Sequence, residues 1–263
     1  MNSKIFLNPE IRSGLGEDTF WTWFAREVGA EFDLPNRIGP QDIVLHYSTK
    51  GKPKFPSNTI SLLWELYPEM ALRLGTKYPK KMRKIKASFS ARWATCPTQY
   101  SRAFYSKDTT VLPIGVDTGL FKPAVSKAEL RVKHGYSSND KIAFWSGQTH
   151  PMKGPELREK WADENPDWKL ISRPRENVIS QEALAELMQI SDGFLNTSRL
   201  IPLYMVEWEA LATGLPFIQA GGVEREFDPE SPREFVIETK WSRDQAKILW
   251  WDFVDKCRFE TKK

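Results

Sequence analysis

From Lys141 to Gln219 short apolar runs alternate with helix-spaced segments, and this rhythm restricts the possible folds more than any other feature of the chain. Lys141–Trp145, Trp168–Ile171, Gly193–Asn196 and Pro216–Gln219 read as strands. Between them the spacing predicts helices over Pro155–Asp163, opened by a proline in its first turn, over Ser180–Ile190, with Ser180 and Glu182 near its start, and over Tyr204–Thr213. Strands and helices that alternate at this spacing form a parallel sheet covered on both faces. The first half shows the same layout less cleanly. Lys4–Leu7 reads as a strand, Ser13–Asp18 as a glycine-bearing turn, and Thr19–Val28 as a helix with Phe20, Trp23, Phe24 and Val28 on one face. Asp42–Tyr47 and Thr59–Trp64 have the pattern of buried strands. Trp93–Cys96 precedes a polar, helix-like stretch, and the Pro- and Gly-studded segment Thr110–Pro123 marks a domain boundary. The expected fold class is α/β, with two Rossmann-like domains facing across a cleft, residues 1–122 and 123–263. A last helix over Ser242–Phe259 is free to return to the first domain. Ligands of such sheets bind beyond the carboxyl ends of the strands.

A length of 263 residues suits two such domains. No apolar run approaches the length of a bilayer span, and the opening MNSKIFLNPE reads as a strand rather than a signal peptide, so a cytoplasmic protein is expected. Cys96 and Cys257 match no metal or redox spacing and read as reduced thiols. Charge is unevenly placed. Residues 1–122 carry 18 Lys and Arg against 11 Asp and Glu, and residues 123–263 carry 20 against 23. The basic half suits a polyanion or an anionic surface.

The chemistry points to Met205–Ala220, where Glu207 and Glu209 fall in the first turns of a helix. A carboxylate there accepts hydrogen bonds from vicinal hydroxyls such as those of ribose. Free backbone amides at the same helix start favour a phosphate. A sugar nucleotide supplies both groups. The competing explanation is that two exposed glutamates merely favour the helix dipole. No Asp-x-Asp pair and no His/Cys cluster suggests a metal site, and Glu207-x-Glu209 on a helix has poor geometry for chelating one ion.

Three segments occur in order: Val111–Pro123 (VLPIGVDTGLFKP), Gly147–Leu157 (GQTHPMKGPEL) and Glu209–Pro216 (EALATGLP). Together they resemble the GT-B glycosyltransferases of family 4, the large retaining family. Asp42–His46 is similar to that family's strand ending in a histidine. The resemblance implies a soluble, retaining hexosyltransferase using a nucleotide-sugar donor, UDP-linked, without a bound metal. It assigns Glu209 to the ribose, Lys153 to the diphosphate and His46 to the transferred sugar. Gly14 and Gly16 would let the first loop approach the donor. Backbone groups of Leu203, Tyr204 and Met205 would cradle phosphate, and Gly147, Gln148, Arg173, Ile179 and Glu207 complete the donor-binding set. Two departures stand out. Gln148 replaces the family's arginine, and Ile201 replaces the glutamate eight residues before Glu209. The second leaves the sugar and the stereochemical outcome open. The N-terminal half is also short for the family.

Lys77–Trp93 has seven basic residues and no acidic one. As a helix begun at Pro79, it places Met82, Ile85 and Phe89 inward and Lys80, Lys81, Arg83, Lys84 and Lys86 outward. A solvated helix face, a phosphate-tracking surface for DNA and a peripheral contact with anionic lipid all fit. The inward stripe is narrow, which disfavours deep membrane insertion. A compact, basic glycosyltransferase suits a hydroxymethylated base in DNA as acceptor, a viral DNA modification carried out in the host cytoplasm. A nucleic-acid-binding protein on a degenerate, non-catalytic transferase domain, or a transferase acting on a lipid or surface glycan, are the alternatives.

Overall fold

The computed structural model describes residues 4–8, 16–32, 34–64, 67–75, 78–105, 107–147, 149–174, 179–225, 227, 229–239 and 241–261. The chain divides into two compact units, Met1–Gly115 with Asp244–Lys263, and Val116–Arg243.

Unit 1 is built on β1 (Ile5–Asn8), α1 (Gly16–Val28), β2 (Ile43–Tyr47), β3 (Thr59–Leu62), α2 (Tyr67–Leu74), α3 (Pro79–Ser88), β4 (Trp93–Cys96), α4 (Gln99–Arg102) and β5 (Thr110–Val111). All five strands are parallel and lie in chain order, β1-β2-β3-β4-β5. Every residue of β2 and β3 is buried, as expected for inner strands of a parallel sheet. Ser61 on β3 is tolerated there because its hydroxyl donates to Ser88, which donates to the Ile85 carbonyl. Helix α3 opens with proline at its first turn and buries Ile85, while Met82 and Phe89 pack on the cluster of Leu63, Ile85, Ala94 and Cys96. The inward stripe read from the sequence is therefore part of the core.

Unit 2 contains α5 (Lys127–Lys133), β6 (Lys141–Gly147), α6 (Pro155–Glu164), β7 (Trp168–Pro174), α7 (Gln181–Ile190), β8 (Gly193–Asn196), α8 (Met205–Ala212), β9 (Phe217–Gln219) and α9 (Pro232–Glu238). Its parallel strands run β7-β6-β8-β9. The strand order reverses between β6 and β8, so this unit has a topological switch point at their carboxyl ends. Among the described residues, the unit 1 sheet has none. Trp208 of α8 stacks on Trp241 at 3.8 Å and on Phe235 at 5.9 Å, filling the interior behind that helix.

The last helix, α10 (Arg243–Glu260), belongs to unit 1 for nearly all its length. Its Trp250 is fully buried, packs edge-on against Phe24 and Trp64, and donates its indole N–H to the Pro113 carbonyl. The boundary differs from the expected position after residue 122. Val116 pairs with Ser242, and Arg233 donates to the carbonyls of Thr118 and Phe121, so the segment after Gly115 is tied to unit 2. Two further corrections concern α1 and the glycine turn. Gly16 is the first residue of α1 rather than a loop residue, three positions ahead of the expected start. Gly14 lies outside the described residues. Among the described residues no helix is long and apolar enough to cross a membrane.

Candidate functional site

The carboxyl ends of β6 and β8 carry two loops that are fastened to each other. After β6, Pro151–Lys153 form a tight turn capped by His150, whose Nδ1 accepts from the Met152 amide. Gly154 then enters α6 in the left-handed conformation, φ 54°, and a β-carbon there would overlap the Thr197 carbonyl oxygen. Thr197, just past β8, donates its hydroxyl to the Lys153 carbonyl at 2.6 Å and accepts from the Trp145 indole at 2.9 Å. The Arg199 amide donates to the Met152 carbonyl at 2.9 Å. The backbone that carries Lys153 is thus set by the loop that leads into α8.

Helix α8 starts with a capping box. Glu207 accepts the Tyr204 amide at 2.6 Å, and the amides of Met205 and Val206 have no intrahelical acceptor. The Glu207 carboxylate is 2% exposed and is also paired with Arg225, whose side chain is fully buried and donates to the carbonyls of Leu200 and Pro202. Lys153, 6% exposed, holds its ammonium group 3.6 Å from the other Glu207 oxygen and 3.0 Å from the centroid of the Tyr204 ring. Two cations and one carboxylate leave this cluster with one net positive charge beside the amino end of α8. Both features attract an anion.

Glu209, two residues on, is 4% exposed and has a different environment. Among the described residues, none donates a hydrogen bond to its carboxylate. Burial pushes its pKa up to about 7, against the opposing pull of Arg173 and Arg243. Arg173, the next-to-last residue of β7, donates to Ser146 at 3.2 Å, while its Nε is buried without a partner among the described residues. Burial lowers the pKa of the Arg173 guanidinium, and Glu209 acts in the other direction. Arg243 is paired with Asp117 at 2.7 Å and is also lowered by burial. The result is a desolvated carboxylate flanked by two guanidinium groups, with acceptor capacity that the fold leaves unused.

The structure therefore brings Lys153, Arg173, Tyr204, Glu207 and Glu209 into one unit, at the carboxyl ends of its strands. The competing explanation of two exposed, dipole-favouring glutamates is corrected, because both are buried. Glu207 is committed to the Tyr204 amide and to Arg225, which makes it a support of the site. Gly147 ends β6, and a β-carbon on it would press on the Lys153 side chain at 3.2 Å. Leu203 is buried, Met205 is the half-buried first residue of α8, and Ile179 is a half-buried residue ahead of α7. Gln148 lies outside the described residues. His46 is the buried next-to-last residue of β2 in unit 1. Its Nε2 donates to the Gly51 carbonyl at 2.9 Å, and burial lowers its pKa. Sequence reasoning missed Arg225 and Arg243. The partners of Arg225 lie 18 to 25 residues away in the chain, and no motif marks it.

No protein-family model matches the sequence, and no curated protein does. Solved structures match over nearly the whole chain. WaaG, a glycosyltransferase involved in lipopolysaccharide biosynthesis, aligns with a TM-score of 0.58 and 13% identity over 98% of this chain and 92% of its own. HepE from Anabaena, in complex with UDP and glucose, aligns at 0.59 with 16% identity over 93% of each chain. Sucrose-phosphate synthase from Thermosynechococcus elongatus aligns at 0.54 with 14% identity over 92% of this chain and 71% of its own. With two parallel-sheet α/β units and these neighbours, the chain has the GT-B fold of the glycosyltransferases it resembles.

Proposed function

We propose that the protein is a glycosyltransferase that binds a nucleoside-diphosphate sugar, UDP-linked, on unit 2 and transfers the sugar to an acceptor hydroxyl. The observation that carries this reading is Glu209, a buried carboxylate without a hydrogen-bond donor among the described residues, placed beyond the sheet at a strand-order switch. Vicinal hydroxyls of a pentose would supply two donors to it. Lys153 and the first amides of α8 would meet the diphosphate, and Arg173 adds positive charge on the same side of the sheet. As the bond from the anomeric carbon to the diphosphate breaks, negative charge grows on the leaving oxygen. A cation held in place before reaction stabilises that charge without reorganisation, and such contacts contribute about 3 kcal/mol each in other enzymes. His46 is assigned to the transferred sugar by the family resemblance, as is retention of configuration. The acceptor we favour is a hydroxymethylated base in DNA, on the strength of the positive charge of unit 1.

Titration with UDP and with UDP-sugars, followed by nucleotide-release assays, tests the reading. Glu209→Ala is expected to weaken UDP binding at least tenfold, and Lys153→Ala to cut turnover by more than about a hundredfold. Wild-type binding in Glu209→Ala, or no nucleotide binding by the unaltered protein, would overturn it. A second reading, a nucleic-acid-binding protein on a non-catalytic transferase fold, is favoured by Gln148 and Ile201, which stand where the family has an arginine and a glutamate. It predicts DNA binding with no nucleotide release from any sugar nucleotide.

A further inference from the structure

Unit 1 concentrates exposed positive charge on one helix and the turn beside it. From Ile43 to Trp64, and again from Met70 to Lys107, the sequence holds no aspartate or glutamate. These runs meet in space. Helix α3 packs on the Ser48–Lys50 turn, and a β-carbon on Gly51 would touch Lys84 at 3.7 Å. Lys50 and Lys52 on one segment, and Lys80, Lys81, Arg83, Lys84 and Lys86 on the other, are all exposed. Among the described residues, the ion pairs Lys4–Glu31, Arg73–Glu69, Arg102–Asp108, Lys247–Glu27 and Arg258–Asp255 involve none of the five α3 cations, and Lys81 lies 5.4 Å from the centroid of the Tyr67 ring. Like charges three and four residues apart, such as Lys80 with Arg83 and Lys84, each destabilise a helix by a few tenths of a kcal/mol. This crowding of like charge on α3 is a cost that an external anion would offset.

The form of the patch distinguishes between anions. The apolar stripe of α3 is consumed by the core, and neither α3 nor the Lys50–Lys54 segment has an exposed large hydrophobic residue. Interfacial helices bind lipid by burying such a face. At 100° per residue, the five cations of α3 span about 220° of the helix circumference. A flat anionic surface touches only one side of such a fan. A duplex groove, wide enough for a helix and bordered by two rows of phosphates, meets both flanks. We propose that α3, with the Lys50–Lys52 turn beside it, docks duplex DNA through phosphate contacts. This names the surface that serves the DNA acceptor proposed above and rests on that reading only for its purpose, since docking needs no donor.

The test is fluorescence anisotropy of the full chain with a labelled duplex of about 20 base pairs, from about 50 to about 200 mM salt. The unaltered protein is expected to bind at low salt and to weaken steeply as salt rises. Combining Lys80→Gln, Arg83→Gln and Lys84→Gln should flatten the log–log salt slope by two to three and weaken binding more than tenfold at the low-salt end, at about 0.9 per lost phosphate contact. Lys141→Gln, Lys160→Gln and Lys169→Gln together remove the same charge from unit 2 and should change the slope by less than about one. Should the first variant fail to fold, Arg83→Gln alone should lower the slope by about one. Equal losses in the two combined variants, an unchanged slope in the α3 variant, or no duplex binding at low salt would overturn the proposal. So would sedimentation with phosphatidylglycerol vesicles in place of duplex binding. UDP titration of the α3 variant should match the unaltered protein. Absence of UDP binding in both counts against the donor site and leaves the docking result standing.

Discussion

Glu209 and Glu207 stand two residues apart on one helix and have opposite duties. Glu207 is paired and capped, whereas Glu209 is buried at a cost to the folded state. It titrates near 7 in the folded chain against an ordinary value of 4.5. Between those values the folded chain holds more protons than the unfolded one, so stability falls as pH rises through that window. Glu209→Gln removes this loss, on the order of 3 kcal/mol at most. The variant should melt above the unaltered protein at about pH 8, and the difference should vanish near about pH 5. UDP affinity should show the complementary trend. The ionised carboxylate is the better hydroxyl acceptor, so affinity should rise from about pH 6 to about pH 8 in the unaltered protein and stay flat in Glu209→Gln. Arg225 is the structural counterpart. Replacing it with methionine leaves the Glu207 carboxylate only the Tyr204 amide and the more distant Lys153, leaves two carbonyls without this donor in the interior, and should cost about 3 kcal/mol in urea unfolding. Glu207→Gln in the same background should restore part of it.

At the scale of elements, the site depends on two loops whose positions are not independent. Thr197 and Arg199 hold the backbone of Met152 and Lys153, and Gly154 gives the close approach that permits it. Gly154→Ala forces a left-handed alanine against the Thr197 carbonyl and should cost more than about 1 kcal/mol in urea unfolding. It should weaken UDP binding as well, because Lys153 moves with that backbone. Most elements were legible from period and caps. The strands of unit 2 and α6, α7 and α8 agree with the sequence reading to within a few residues. Helices α2, α5 and α9 escaped it. The Ser126–Glu129 spacing of α5 does carry an amino-terminal signature, with Ser126 accepting the Glu129 amide. The helix itself is only seven residues long, too short to show a clear apolar period.

In the molecule as a whole, the last helix belongs to the first unit. Trp250 contributes a fully buried ring to unit 1, with its N–H satisfied by Pro113. Trp250→Ala should cost about 3 to 5 kcal/mol, read as an earlier unfolding step for unit 1 while unit 2 is unaffected. Hydrogen exchange resolved by segment separates the two. A single unfolding step shifted for both units would count against this division. The charge asymmetry seen in the sequence acquires a location in the same way, since the cations of two separate segments gather around α3 and the turn it packs on.

By itself the sequence determined the two α/β units and their parallel strands. These rest on local patterns, namely apolar period, caps and the breaks made by glycine and proline. Only the tertiary structure decided that Glu207 is a support, that Glu209 titrates near 7, and that Arg225 holds the loop before α8. Those properties arise from desolvation and from partners distant in the chain, on β7, on α10 and in the loop after β9. Pair distances and burial are set by how elements pack, and no local run of residues encodes them.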